Sequence, residues 1–223
     1  MIPPAAILDY LSAASERAMP LSILWHAALA VLLVALITGW RPQIRTFGTL
    51  LAAAFLSVAA VAAAFTNPFN AVLFLALSGG TLGSVARATE PLRVASAAWT
   101  GVAMMMLAFA WVYPHFLPNG SWLRHAYAAP LGTIPCPTLA AAAGLLLLAG
   151  NLPRTILLIV AAASLFYGSF GAVYLGVTVD WILTGGGLVL LTRTVLESQR
   201  AVVGTRSNSR RNIPRIRPRS RTA

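Results

Sequence analysis

The sequence predicts an all-α, polytopic transmembrane helix bundle of about seven spans, with the N-terminus outside and the C-terminus inside. Three observations predict it. Of 223 residues, 58% are hydrophobic and 9% charged, and the mean hydropathy is +0.78, a composition too apolar for an ordinary water-soluble domain. Apolar runs recur along most of the chain, each near the roughly 20 residues that a helix needs to cross the hydrocarbon layer. Sixteen cations, all arginine, are concentrated between alternate runs and at the C-terminus. The length accommodates about six to eight crossings with short connections and leaves no room for a separate soluble catalytic domain.

Residues 1–20 form an N-terminal segment short of apolar content for a crossing. Ile7, Leu8, Leu11, Ala14 and Ala18 fall near helical spacing beside Asp9, Ser12 and Glu16, which predicts a helix lying in the membrane interface. Its acidic residues, with only Arg17 before the first long apolar run, do not fit the basic, cleavable layout of a secretory signal. The first span, Ser22 to Gly39, ends at Trp40-Arg41-Pro42, and arginine with proline marks an exit into water. The second, about Gly48 to Phe65, stops at the uncharged turn Asn67-Pro68-Phe69-Asn70. The third, about Phe69 to Ala86, holds a Gly79-x-x-x-Gly83 pair that offers a smooth face for close helix packing. The fourth runs from about Ala95 to Tyr113.

Pro114 to Pro135 is the longest internal connection, and its prolines, Asn119-Gly120 and scattered aromatics predict an ordered interfacial loop with little regular structure. A fifth span begins at Cys136 or Pro137 and ends at Gly150-Asn151-Leu152-Pro153. Arg154 to Gly176 is the sixth, and Val177 to Leu191 or Thr194 a seventh of marginal length. The bundle therefore occupies 21–196. Residues 197–223, rich in arginine with two prolines and few apolar side chains, read as a disordered cytoplasmic tail. Attraction to anionic lipid headgroups is the expectation there, rather than specific nucleic-acid binding, because lipid is adjacent.

Fourteen of the sixteen arginines fall on one side of this arrangement, with Arg17 and Arg124 on the other. The rule that arginine-rich loops stay cytoplasmic gives the N-out, C-in orientation. Trp40 and Trp99 then lie near inner boundaries, and Trp25, Trp111, Trp122 and Trp181 near outer ones, as an aromatic belt requires.

The segment Gly132-Thr133-Ile134-Pro135-Cys136-Pro137-Thr138, followed by LAAAAGLLLLAG, resembles a family of bacterial multi-pass membrane proteins known as a domain of unknown function. There a Gly-x-x-Pro-(Cys/Asp)-Pro-Thr stretch introduces such a helix. The likeness is best from about Tyr113 to Gly176, and the tail after Glu197 is not part of it. The resemblance implies an integral protein of a bacterial cytoplasmic membrane and brings no activity, substrate or catalytic residue.

Candidate chemistry gathers on the outer side as a shallow polar cluster: His26, His115, Arg124, His125, Cys136 and Asp180. Cys136, the single cysteine, excludes an intrachain disulfide and a Cys-x-x-Cys pair. At a helix start it is a candidate reactive thiol, with the histidines as possible base or ligand partners, although their wide spacing argues against a metal site. Asp180, an acid in an apolar stretch, is a functional candidate; as a structural residue it would cap the last helix or pair with Arg124. In the sixth span, Ser164, Tyr167, Gly168, Gly171 and Tyr174 form a small and hydroxyl-bearing stripe that would line a cavity or meet a neighbouring helix, with helix packing the favoured reading. Met104, Met105 and Met106 are consecutive on a helix, point about 100° apart and cannot converge on an ion. No cofactor is expected. Without a catalytic constellation, a non-enzymatic transporter-like or helper module is the favoured class; a membrane enzyme or metal-handling protein with an outer site around Cys136 is the alternative.

Overall fold

The computed structural model describes residues 3–116 and 122–211, the side chains of 122 and 200–211 excepted. All the regular structure in these residues is helical: α1 (Pro4–Arg17), α2 (Met19–Ile37), α3 (Ile44–Ala64), α4 (Pro68–Val85), α5 (Ala97–Val112), α6 (Trp122–Ala128), α7 (Pro135–Leu148), α8 (Arg154–Ser169) and α9 (Trp181–Arg211). A π-helical turn, Phe170–Tyr174, extends α8, and a 3-10 turn, Thr178–Asp180, leads into α9. Each predicted span corresponds to one helix. Five helical stretches among the described residues are long and apolar enough to cross a membrane: Met19–Ile37, Ile44–Ala64, Pro68–Val85, Arg154–Tyr174 and Thr178–Gln199. The other two apolar helices, α5 and α7, have 16 and 14 residues.

The segment 1–20 contains α1, which starts on Pro4, where the ring's fixed φ suits a first turn. The loop expected between Pro114 and Pro135 contains α6 over WLRHAYA, seven residues without proline or glycine, bounded by Gly120 and Pro130. Residues 117–121, Asn119-Gly120 among them, lie outside the described residues, as does the side chain of Trp122. Of the segment 197–223 expected as a tail, the part to Arg211 is continuous with α9; residues 212–223, and the tail arginine side chains, also lie outside them.

The helices alternate in direction, so the predicted basic loops meet at one end. There Ile44 N donates to Glu90 O (2.9 Å), Leu92 N to Pro42 O (2.8 Å) and Gly150 N to Arg93 O (2.6 Å). The Asn151 side chain ties Pro91 and Arg93 together. The opposite, arginine-poor end holds the starts of α2, α4, α7 and α9.

At the centre stands α7, buried at all fourteen positions and packed against α5, α8, α9 and α3. At 1.5 Å per residue it rises only about 21 Å, against a hydrocarbon core of about 30 Å. Its last carbonyls would be orphaned inside the bundle, where each costs several kcal/mol, of order. All are satisfied. Ala149 N donates to Leu145 O and Ala95 N to Leu148 O, while Arg193, 1% exposed, donates to Leu146 O (3.0 Å), Leu147 O (2.9 Å) and Ala149 O (2.6 Å). The same guanidinium pairs with Glu197 at 2.7 Å and lies 5.9 Å from the Trp99 ring centroid. In the sequence Arg193 reads as one more basic flank residue; in the fold it terminates the central helix.

Two packing expectations divide. The α8 stripe packs, since a methyl on Gly168 would meet Thr184 and the Asp180 carbonyl and one on Gly171 would collide with the Asp180 carboxylate, and its Tyr167 and Gly171 also line a cavity. Gly79 and Gly83 do not pack, since nothing in the described chain comes within 4 Å of a Cβ built on either. Their face of α4 points outward because α4 meets α3 through Phe74, Ser78 and Val85, all buried.

Candidate functional site

The segment Gly132 to Thr138 is a folded turn that delivers Cys136 to the arginine-poor end of the bundle. Gly132 takes φ +72°, and its Cα lies so close against the Trp25 ring that any side chain would collide with it. Ser57 donates to Gly132 O (2.6 Å) and receives from Trp25 Nε1 (3.0 Å), which ties the turn to α2 and α3. Thr133 Oγ1 lies 3.0 Å from Ser22 Oγ. Thr138 Oγ1 accepts from Gly132 N (2.9 Å) and donates to Ile134 O (2.7 Å), closing the turn over the first residues of α7. Proline at 135 lies in the first helical turn, where its missing N–H costs nothing.

Cys136, so placed, donates through Sγ to Asp180 Oδ2 (3.2 Å), and the Tyr113 hydroxyl donates to Oδ1 of the same carboxylate (2.5 Å). The three residues come from α7, the turn before α9 and the end of α5, and all are buried. Gly171 in the π-helical turn leaves the room that the Asp180 carboxylate occupies. A π-helical turn places an extra residue in a helix and is frequent at functional sites. Here its first two residues, Phe170 and Gly171, both face the site.

Beside this trio lies a cavity of about 640 Å³. Its walls come from α1, the α3–α4 turn, the start of α7 and the end of α8. Aromatic rings dominate them, with Tyr10, Phe65, Phe116, Phe166, Tyr167 and Phe170 among the lining residues. Cys136 and Asp180 supply part of the floor, and Tyr167 Oη donates to Asn70 Oδ1 (2.7 Å) along one side. Asn67, the other turn asparagine, caps α4 by accepting from Asn70 N (3.1 Å). Phe166, 46% exposed, and Phe69, 58% exposed, carry the cavity wall to the outer surface between α4 and α8.

Of the six predicted cluster residues, Cys136 and Asp180 meet through a hydrogen bond, and His115 and His125 lie near each other apart from that pair. Asp180 neither caps α9 nor pairs with Arg124, since its carboxylate turns to Tyr113 and Cys136 and Arg124 Nη2 bonds Met19 Sδ (3.3 Å). His26 is buried between α2 and α5, its ring nitrogens 2.8 Å from Ser22 O and 3.0 Å from Trp111 O and its ring edge-on to Trp111. It joins two helices. His125 Nδ1 lies 3.3 Å from Tyr113 O, and the His115 ring stacks edge-on to Phe116. Burial, then the neighbouring His125, holds His115 below the usual histidine range. Neither histidine is bonded to the Cys136 thiol. Among the described residues no three His, Cys, Asp or Glu side chains converge as metal ligands. Tyr113 is the member that sequence reasoning missed. A polar-tipped ring ending an apolar span just before Pro114 was its one signal, and that signal describes an interfacial anchor equally well.

Compared with family models, with curated proteins and with solved structures, the chain matches none.

Proposed function

We propose that this integral membrane protein is a non-enzymatic, transporter-like or helper module whose working site is the aromatic cavity at the arginine-poor end. There it takes up a small molecule with an apolar body and a polar tip. The carrying observation is the cavity itself: about 640 Å³, within the usual range of ligand sites, with mostly apolar walls and a few convergent polar groups. Phe69 and Phe166 at the helix surface place its edge where a molecule dissolved in the bilayer would arrive. The setting we propose is a bacterial cytoplasmic membrane, N-terminus out, with the tail arginines against anionic headgroups. Kinship with the family that the Gly132–Thr138 segment resembles is part of the same proposal and rests on that segment.

The contact between Cys136 and Asp180 is the observation that favours a membrane enzyme instead. Catalysis by Cys136 would need a thiolate beside a base or a cation. The thiol here is a donor to a carboxylate whose second oxygen is also engaged, while His26 and His125 bond elsewhere and His115 packs edge-on to Phe116. This arrangement supports binding over nucleophilic chemistry.

A photoactivatable decanol carrying a diazirine, added to the protein in lipid nanodiscs, tests the reading. Labelling of Tyr10, Phe170 and their neighbours, saturable and competed by unlabelled decanol, is the expected result. Uniform, non-competable labelling of outward-facing residues such as Val31 and Val72 would remove the cavity as the working site.

A further inference from the structure

The chemistry of the cavity selects the charge of what enters it. Among the described residues that line it, Asp180 is the one acidic side chain and none is arginine or histidine. Its carboxylate has about four lone-pair positions, and the two donors that reach it, Tyr113 and Cys136, are both neutral. The same cavity is walled by six or more aromatic rings, whose faces carry negative potential. One of these rings already receives a cation on a face: the Arg17 guanidinium lies 5.8 Å from the Phe65 centroid. With Arg17 confined to the Phe65 ring and no arginine or histidine among the described lining residues, the buried acid and the remaining ring faces disfavour an anionic headgroup, leave a neutral one without special advantage and attract a cation.

We infer that the cavity binds an organic cation: a quaternary or protonated amine on an apolar body, its charged nitrogen held between the aromatic walls and the Asp180 end of the floor. Tyr113 and Cys136 hold the carboxylate in place by their hydrogen bonds and so act as positioning residues. Gly171 belongs to the same device, because a side chain there would displace the carboxylate. This inference rests on the cavity being the working site, and the test separates the two.

Three probes share a ten-carbon chain and differ in charge: decyltrimethylammonium, decanol and decyl sulfate. Each is titrated below its micellar concentration against the full chain in zwitterionic nanodiscs, with empty nanodiscs subtracted, and occupancy is read by native mass spectrometry. The cation is expected to bind about tenfold or more tighter than decanol, with decyl sulfate weakest. Asp180→Asn, which keeps the shape and an acceptor, is expected to bring the affinity for the cation down to that for decanol, both measured on the variant, and a cation preference as large as in the unsubstituted chain would overturn the role given to the carboxylate. Equal affinity for the cation and decanol would overturn the inference and leave the cavity reading standing. Saturable binding of none of the three would overturn both. Should Asp180→Asn fail to fold, Phe170→Leu supplies the second variant: a smaller ratio of cation to decanol affinity, both measured on that variant, supports the aromatic wall, and an unchanged ratio counts against it.

Discussion

Arg193 and Asp180 are both ionisable, both 1% exposed, and solved by opposite means. Arg193 meets three backbone carbonyls and a carboxylate, so its fork of donors is matched to fixed acceptors. Replacing it by alanine strips three buried carbonyls of their donors at about 1–3 kcal/mol each. Arg193→Ala is therefore expected to destabilise the protein by at least about 3 kcal/mol, and Arg193→Lys to recover only part, as read from unfolding in mixed micelles. Asp180 has neutral donors instead. Tyr113→Phe is expected to cost about 1–3 kcal/mol by leaving Oδ1 without a donor, and an effect below about 0.5 kcal/mol would show that this contact is not maintained. His115 gives a pH dependence outside the spans. Its folded pKa lies below its unfolded value, so the unfolded chain binds more protons between the two and stability rises with pH there. The stability tied to neutral His115 is present above about pH 6.5 and is lost as pH falls through that value toward the folded pKa. A thermal melt between pH 7.5 and 5 should show the loss, and His115→Gln should shrink it.

Among the elements, α7 and the turn before it carry the site. The helix is too short to cross the bilayer on its own, and packing by α3, α5, α8 and α9 makes that harmless. Small residues allow the approach: a methyl on Gly144 would meet Leu107 and the Ala103 carbonyl. With lipid as apolar as the side chains, such close contact is what holds membrane helices together. Gly132→Ala should be more damaging than any other single methyl in this turn, because it opposes both the positive φ and the Trp25 ring. A fall in melting temperature that Trp25→Ala relieves only in part is the expected outcome, since the backbone strain remains after the ring is removed.

The whole molecule sorts its two ends by charge. Arg41, Arg87 and Arg93 in the connections, with Arg45 and Arg154 in the first turns of α3 and α8, gather at one end, where those connections are hydrogen-bonded to one another, while the cavity lies at the other. The proposed orientation has a direct test in a Cys136→Ser background. Asp9→Cys in α1 is expected to react with a membrane-impermeant maleimide in intact cells, and Glu90→Cys only after permeabilisation. The reverse pattern would turn the protein over and place the cavity on the cytoplasmic face. Native Cys136, 7% exposed, is a poor reporter for this purpose because its burial slows labelling on either side.

The amino-acid sequence alone determined the helical class, the approximate bounds of seven apolar helices and the segregation of arginines to one end. These follow from local quantities, namely run length, proline and glycine punctuation and charge position, which need no partner to be read. It also placed Cys136 and Asp180 in one candidate cluster, although 44 residues separate them. Tertiary structure alone decided that these two touch, that Tyr113 joins them, and that His26 and Arg124 do other work. It turned the Gly79 and Gly83 face outward and brought Arg193 to the end of α7. A hydrogen bond between distant side chains depends on helix rotation and depth, which nearest-neighbour packing sets and which no run of apolar residues encodes.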